Sequence, residues 1–151
     1  MIADFFPNWI EKQKYGIVVY PADLFELRIQ EEMIRADEYK SYFVYVEIDF
    51  NAIRKELKGE EAEYEFWKAF LKCLATKDRG SDVYGLLKNN TGIGLLLLDS
   101  KMEGWRRLEG RIKEFSKITL GDISEVLKKG IKEFVYPACL EKVQAIHKES
   151  K

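Results

Sequence analysis

Nine consecutive residues, Tyr42-Phe43-Val44-Tyr45-Val46-Glu47-Ile48-Asp49-Phe50, set the terms on which this chain can fold. The run is aromatic and β-branched up to Glu47 and shows no alternation of apolar with polar, which is the composition of a strand buried on both faces. Such a strand needs partners along its edges and cover above and below it. The chain must therefore supply more strands and helices for both faces of one sheet.

Periodicity around this strand supplies them. Residues 16–20, Gly-Ile-Val-Val-Tyr, read as a short strand closed by Pro21, with a helix over 22–39 following directly. That helix is expected to bury a stripe through Leu24, Leu27/Arg28, Glu31 and Ile34/Arg35. Over residues 52–76, Ile53, Leu57, Tyr64, Trp67, Phe70, Leu71 and Leu74 recur at helical spacing, with an interruption at Gly59. Residues 82–88 and 91–99 flank Asn89-Asn90, a pair that tolerates the positive φ of a tight turn, and read as a β-hairpin. A helix over 102–115 is expected next, then a short strand over 117–120. Asp122-Ile123-Ser124-Glu125 has capping-box spacing and opens a helix toward Phe134, and residues 137–151 read as helical. The expected fold class is α/β (α+β), a single mixed and mainly antiparallel sheet flanked by helices.

At 151 residues and 46% hydrophobic composition, one domain over 1–151 with a core of its own is expected. Cys73 and Cys139 give no disulfide framework, and with His147 alone they make no zinc constellation, so a reducing cytoplasm is the expected setting. Lys and Arg number 25 against 26 for Asp and Glu, a balance that lacks the basic field nucleic-acid binding requires. The longest apolar stretch, residues 93–98, is far short of the roughly 20 residues that span a bilayer, and residues 1–14 lack the pattern of a secretory signal.

Two features coincide in this layout: Glu47 and Asp49 at the end of the central strand, and Arg79-Gly80-Ser81-Asp82 at the entry to the hairpin. Their order and spacing resemble the GGDEF domain of diguanylate cyclases, a nucleotidyl cyclase-like palm fold. In that family an Asp-x-Asp pair ends the first core strand, and Arg-x-x-Asp precedes the signature hairpin by five residues. Here Glu47-Ile48-Asp49 stands in the first place and Arg79-Gly80-Ser81-Asp82 in the second. After Val83-Tyr84-Gly85-Leu86-Leu87, Lys88-Asn89-Asn90-Thr91-Gly92 occupies the place of the signature itself. Phe25, Glu32-Met33-Ile34-Arg35-Ala36 and Phe43 are similar to the family's approach to that strand. The resemblance runs over about residues 15–120 and leaves 121–151 as a C-terminal helical segment.

What the resemblance implies is a degenerate domain. Family cyclases hold two Mg²⁺ ions through the first acid of the strand pair and an acid in the hairpin, because divalent ions beside a triphosphate take anionic oxygen ligands. Glu47 is one methylene longer than the family's Asp, Asn90 is neutral, and Lys88 and Asn89 stand where paired glycines let the backbone approach the nucleotide. The family's Arg-x-x-Asp is a product-binding site, and Arg79 with Asp82 keeps both halves: a fork that donates to guanine O6 and N7, and a carboxylate that accepts from N1 and N2. The resemblance thus implies a catalytically inactive regulatory or sensory domain with cyclic di-GMP or another guanine nucleotide as ligand, and a homodimer or a signalling protein as partner. Two other readings stand beside it: a partner-binding domain with no nucleotide, and a divergent nucleotidyl cyclase using Mg²⁺ through Glu47.

Each of these residues also has a plainer role available. Arg79 and Asp82 suit a surface ion pair or a turn, and Glu47 and Asp49, on one face of a strand, suit either one metal or nearby basic side chains. Cys73 falls on an apolar stripe and reads as a core thiol, and His147 reads as solvated. Arg106, Arg107 and Arg111 beside Trp105 suggest an anion surface, or a solvated helix face with one buried indole.

Overall fold

The computed structural model describes residues 17–75 and 82–137. In chain order they form β1 (Val19–Tyr20), α1 (Ala22–Tyr39), β2 (Phe43–Asp49), α2 (Phe50–Glu56), α3 (Glu60–Ala75), β3 (Val83–Leu86), β4 (Gly92–Leu98), α4 (Met102–Leu120), α5 (Ser124–Gly130) and β5 (Ile131–Tyr136). One turn of 3-10 helix, Lys88–Asn90, joins β3 to β4. The five strands make one mixed sheet in the order β1-β3-β4-β2-β5, with β1 parallel to β3 and every other pairing antiparallel. The α/β class and mainly antiparallel sheet expected from the sequence are what the chain adopts.

Alternation along β2 divides the core in two. Val44, Val46 and Ile48 face a layer built from α3 and α4, where Phe66, Trp67, Phe70, Leu71, Trp105, Leu108 and Ile112 are buried. Trp67 makes edge contacts with Phe50, Phe66 and Phe70 at centroid distances of 5.0–5.3 Å, geometries that add to simple burial. Phe43 and Tyr45 face α1 with Phe25, Ile29 and Ala36. Here the helix meets the sheet closely: Gly85 and Gly94 are register partners, and a Cβ on either would lie 2.2 or 2.4 Å from the Phe25 ring. The two glycines form a hollow that seats Phe25, which is 1% exposed.

That seat turns α1 away from the expected stripe. The helix spans the expected 22–39, yet its buried residues are Phe25, Ile29, Glu32 and Ala36, while Leu24, Leu27 and Ile34 are 51, 54 and 60% exposed. Glu32 can enter the core because Arg28 donates to it at 2.6 Å and Arg35 stands 3.9 Å away. An ion-paired acid thus occupies a position that a purely apolar stripe would exclude.

Other departures have local causes. The strand over 16–20 is confined to Val19–Tyr20 among the described residues. The helix over 52–76 is two helices, and Gly59, with φ 93°, turns the chain between them. Residues 117–120 are not a strand but the last turn of α4, which ends where Gly121, at φ 71°, donates to the Lys117 carbonyl. The helix opened by Asp122 stops at Gly130 instead of reaching Phe134. Asp122 accepts from the Ser124 amide at 2.9 Å and the Ser124 hydroxyl at 2.6 Å, a local turn that replaces the reciprocal capping box with Glu125. Residues 131–136 are strand because Ile, Phe, Val and Tyr favour it and β2 offers a free edge. The helical reading of 137–151 lies, beyond Pro137, outside the described residues.

Candidate functional site

At the end of the sheet where β2 stops and the hairpin turns, a cleft of about 330 Å³ opens between α1, the sheet and α5. Strand register assembles its floor. Gly85, Gly94, Glu47 and Lys132 are successive partners across β3, β4, β2 and β5, and Asp49 pairs with Gly92 two residues further on. Because side chains alternate, Tyr45, Glu47 and Asp49 share one face of β2, and all three line the cleft. Lys88 and Thr91 reach it from the hairpin, Lys129 from the end of α5, and Glu26 from α1.

The hairpin is held for this. Asn89 and Asn90 adopt φ 61° and 55°, the left-handed values their short polar side chains tolerate, and the Asn90 amide donates to the Leu87 carbonyl at 2.9 Å. The Thr91 hydroxyl donates to the Lys88 carbonyl at 3.0 Å, and the Phe50 amide donates to the Thr91 carbonyl at 3.0 Å, tying the turn to the end of β2. Gly92 has no room for a side chain, since a Cβ would stand 2.1 Å from the Ile48 carbonyl oxygen.

Both strand acids already have partners. The Tyr45 hydroxyl donates to Glu47 Oε2 at 2.9 Å. Burial, joined by the negative charge of Glu47, pushes the Tyr45 phenol far above its ordinary range. Asp49 caps α2, its Oδ1 accepting from the Ala52 amide at 2.9 Å. Among the described residues no group of three His, Cys, Asp or Glu side chains is placed to hold a metal ion. The hairpin position at which the resemblance implies an acid is Asn90.

Glu47, Asp49, Lys88 and Thr91 are therefore brought together, as the spacing implied, with Asn89, Asn90 and Gly92 in the same hairpin. Asp82 is not among them: Val83, the next residue, is in the row of Leu96 and Tyr45, at the far end of β3 from the turn. Arg79 lies outside the described residues, as do Cys139 and His147. Cys73 is buried in the core, its thiol directed at the Leu108 carbonyl at 3.7 Å. Arg106 is no open anion site. It donates to Glu133 at 2.9 and 3.1 Å and to Glu109 at 3.1 Å, while the buried Trp105 indole donates to the same Glu133. Sequence reasoning missed Lys129 and Lys132, whose signal was the alternation over 131–136 that carries Lys132 across from Glu47.

No protein-family model matches the sequence, and no curated protein matches it. Solved structures do. A diguanylate cyclase protein from Thermotoga maritima is 20% identical with a TM-score of 0.54, over 87% of this chain and 95% of that one. The GGDEF domain of YfiN (TpbB) from Pseudomonas aeruginosa is 18% identical with a TM-score of 0.58, over 85% of this chain and 83% of that one. The GGDEF domain of DgcB from Caulobacter crescentus, solved in complex with c-di-GMP, is 8% identical with a TM-score of 0.51, over 89% and 84%. The chain has the GGDEF-type, nucleotidyl cyclase-like palm fold. No described helix is long and apolar enough to cross a membrane.

Proposed function

We propose that this chain is a GGDEF-type domain that works by binding and not by turnover, a regulatory or sensory module whose ligand is cyclic di-GMP or another guanine nucleotide. The engagement of both strand acids carries this reading: Glu47 accepts the Tyr45 phenol and Asp49 caps α2. Two-ion catalysis asks for carboxylates free to bridge metals and a third acid in the hairpin, where this chain has Asn90. That donor set does not fit the pair of Mg²⁺ ions the fold family implies.

For the ligand, Arg79 and Asp82 are the assigned contacts, the Arg fork on guanine O6 and N7 and the carboxylate on N1 and N2. Asp82 stands beside Val83, at the opposite end of β3 from the cleft, which suits a site that regulates without reacting. Support for ligand and partner alike comes from the same fold elsewhere: DgcB is solved with c-di-GMP and the diguanylate cyclase SiaD with its activator SiaC. The second reading, a partner-binding domain with no nucleotide, draws on the exposed Leu24, Leu27 and Ile34 of α1.

Calorimetric titration with cyclic di-GMP, repeated on Arg79→Ala, is the test. Saturable binding that the variant loses supports the receptor, and no heat at high ligand moves the assignment to the partner-binding domain. Incubation with GTP and Mg²⁺ or Mn²⁺ completes it, since release of pyrophosphate would refute the inactive reading.

A further inference from the structure

The cleft at the hairpin end has a charge pattern that a two-metal site does not. Three lysines from three elements, Lys88 of the hairpin, Lys129 of α5 and Lys132 of β5, converge on it with exposed side chains. Opposite them are Glu26, Glu47 and Asp49, of which Glu47 and Asp49 already accept hydrogen bonds from the chain itself. Lys132 makes no ion pair with the described residues although Glu47 is its register partner, and Lys129 reaches only Glu56, at 3.5 Å on the surface. Long stems let these ammonium groups turn over the cleft, each bringing three donors and no acceptor.

From this disagreement with the fold family we infer that the cleft binds the phosphate groups of a small ligand directly through Lys88, Lys129 and Lys132, without a divalent ion. Ammonium groups take the place the metal would hold, neutralising phosphate oxygens by charge-assisted hydrogen bonds. The volume limits the ligand's size. About 330 Å³ is near the lower end of the roughly 300–1,000 Å³ of small-molecule sites, room for a phosphate chain or a mononucleotide. Asp82 does not line this cleft, so the inference does not rest on the Arg-x-x-Asp reading.

The probes are inorganic triphosphate and GTP, titrated by calorimetry into the full chain in EDTA and again in Mg²⁺. The expected result is saturable binding of both in EDTA, unimproved by Mg²⁺ and weakened by salt. The double variant Lys129→Gln/Lys132→Gln should bind about tenfold or more weakly. Both lysines are exposed, and an unchanged melting temperature will show that the variant folds. Absence of saturation with either probe overturns the inference, as does binding that requires Mg²⁺ and is lost in Glu47→Gln. Cyclic di-GMP titrated into the same double variant separates the two sites: unchanged affinity leaves the Arg79–Asp82 reading intact, whereas triphosphate binding without any response to cyclic di-GMP sinks that reading alone.

Discussion

Replacing Gly85 with alanine places a methyl group into the hollow that seats Phe25. The new Cβ would lie 2.2 Å from Phe25 Cγ and 2.5 Å from its Cβ, well inside van der Waals contact. Those atoms belong to the root of the side chain, so rotating the ring cannot relieve the clash, and α1 must lift from the sheet. Overpacking of this kind costs about 1–3 kcal/mol. Alanine also restricts the unfolded chain, which returns about 0.4–1 kcal/mol because Gly85 has no positive φ to lose. The net expectation is a destabilisation of roughly 1–2 kcal/mol, or roughly 2–8 °C in Tm for a chain of this size. Gly94→Ala should cost less, since its Cβ meets the outer ring atoms, Cε2 at 2.4 Å and Cζ at 3.0 Å, which a modest tilt can move. Urea denaturation of Gly85→Ala, Phe25→Ala and the double variant forms a complete cycle. Phe25→Ala alone should cost about 3–5 kcal/mol, and in its background Gly85→Ala should become neutral or stabilising. If the two effects simply add, the glycine hollow does not position α1 and the explanation for the turned helix fails.

Other expectations are more local. Asp49→Ala should cost about 1 kcal/mol through loss of the α2 cap, with Asp49→Asn restoring most of it, and urea midpoints of the two variants check this. Glu133→Ala removes the acceptor of the buried Trp105 indole and of the Arg106 fork, a loss of about 1–3 kcal/mol, with amide exchange along β5 accelerating ahead of the rest of the sheet. Hydrogen bonds from the Ser124 hydroxyl and amide hold the Asp122 carboxyl below the usual range. Its stabilising effect is present above the unfolded pKa and disappears as pH falls through the folded one, so by NMR titration Ser124→Ala should raise the Asp122 pKa and flatten the acid limb of stability.

How much of this could be read in advance depended on whether a residue's role was decided locally. The central strand announced itself, since Phe43 to Val46 form an aromatic and β-branched run with no charge and acids come only at its end, and Asn89-Asn90 wrote its turn into two positive-φ positions. The span of α1 was legible and its orientation was not, because burying Glu32 needs Arg28 and seating Phe25 needs two glycines about 60 and 70 residues away. A similar cause hid β5: Glu133 interrupts its apolar face, and only the Trp105 indole and the Arg106 fork make that acid tolerable beside the core. Four cleft residues, Glu47, Asp49, Lys88 and Thr91, followed from spacing along the chain. Lys129 and Lys132 required knowing that residues 131–136 pair with β2.

That pairing has a consequence for the chain while it is being made. The order β1-β3-β4-β2-β5 gives β2 its second neighbour from a segment that emerges about 80 residues after Asp49. At roughly 5–20 residues per second, synthesis leaves that side of β2 bare for about 4–16 s. Phe43, Val44, Tyr45, Val46 and Ile48, all within 1% of complete burial once folded, are then displayed on a strand with a row of open amides and carbonyls. Such an edge pairs readily with neighbouring nascent chains. A ribosome translating this message would carry its most adhesive segment in the open until nearly the last part of the described fold is complete.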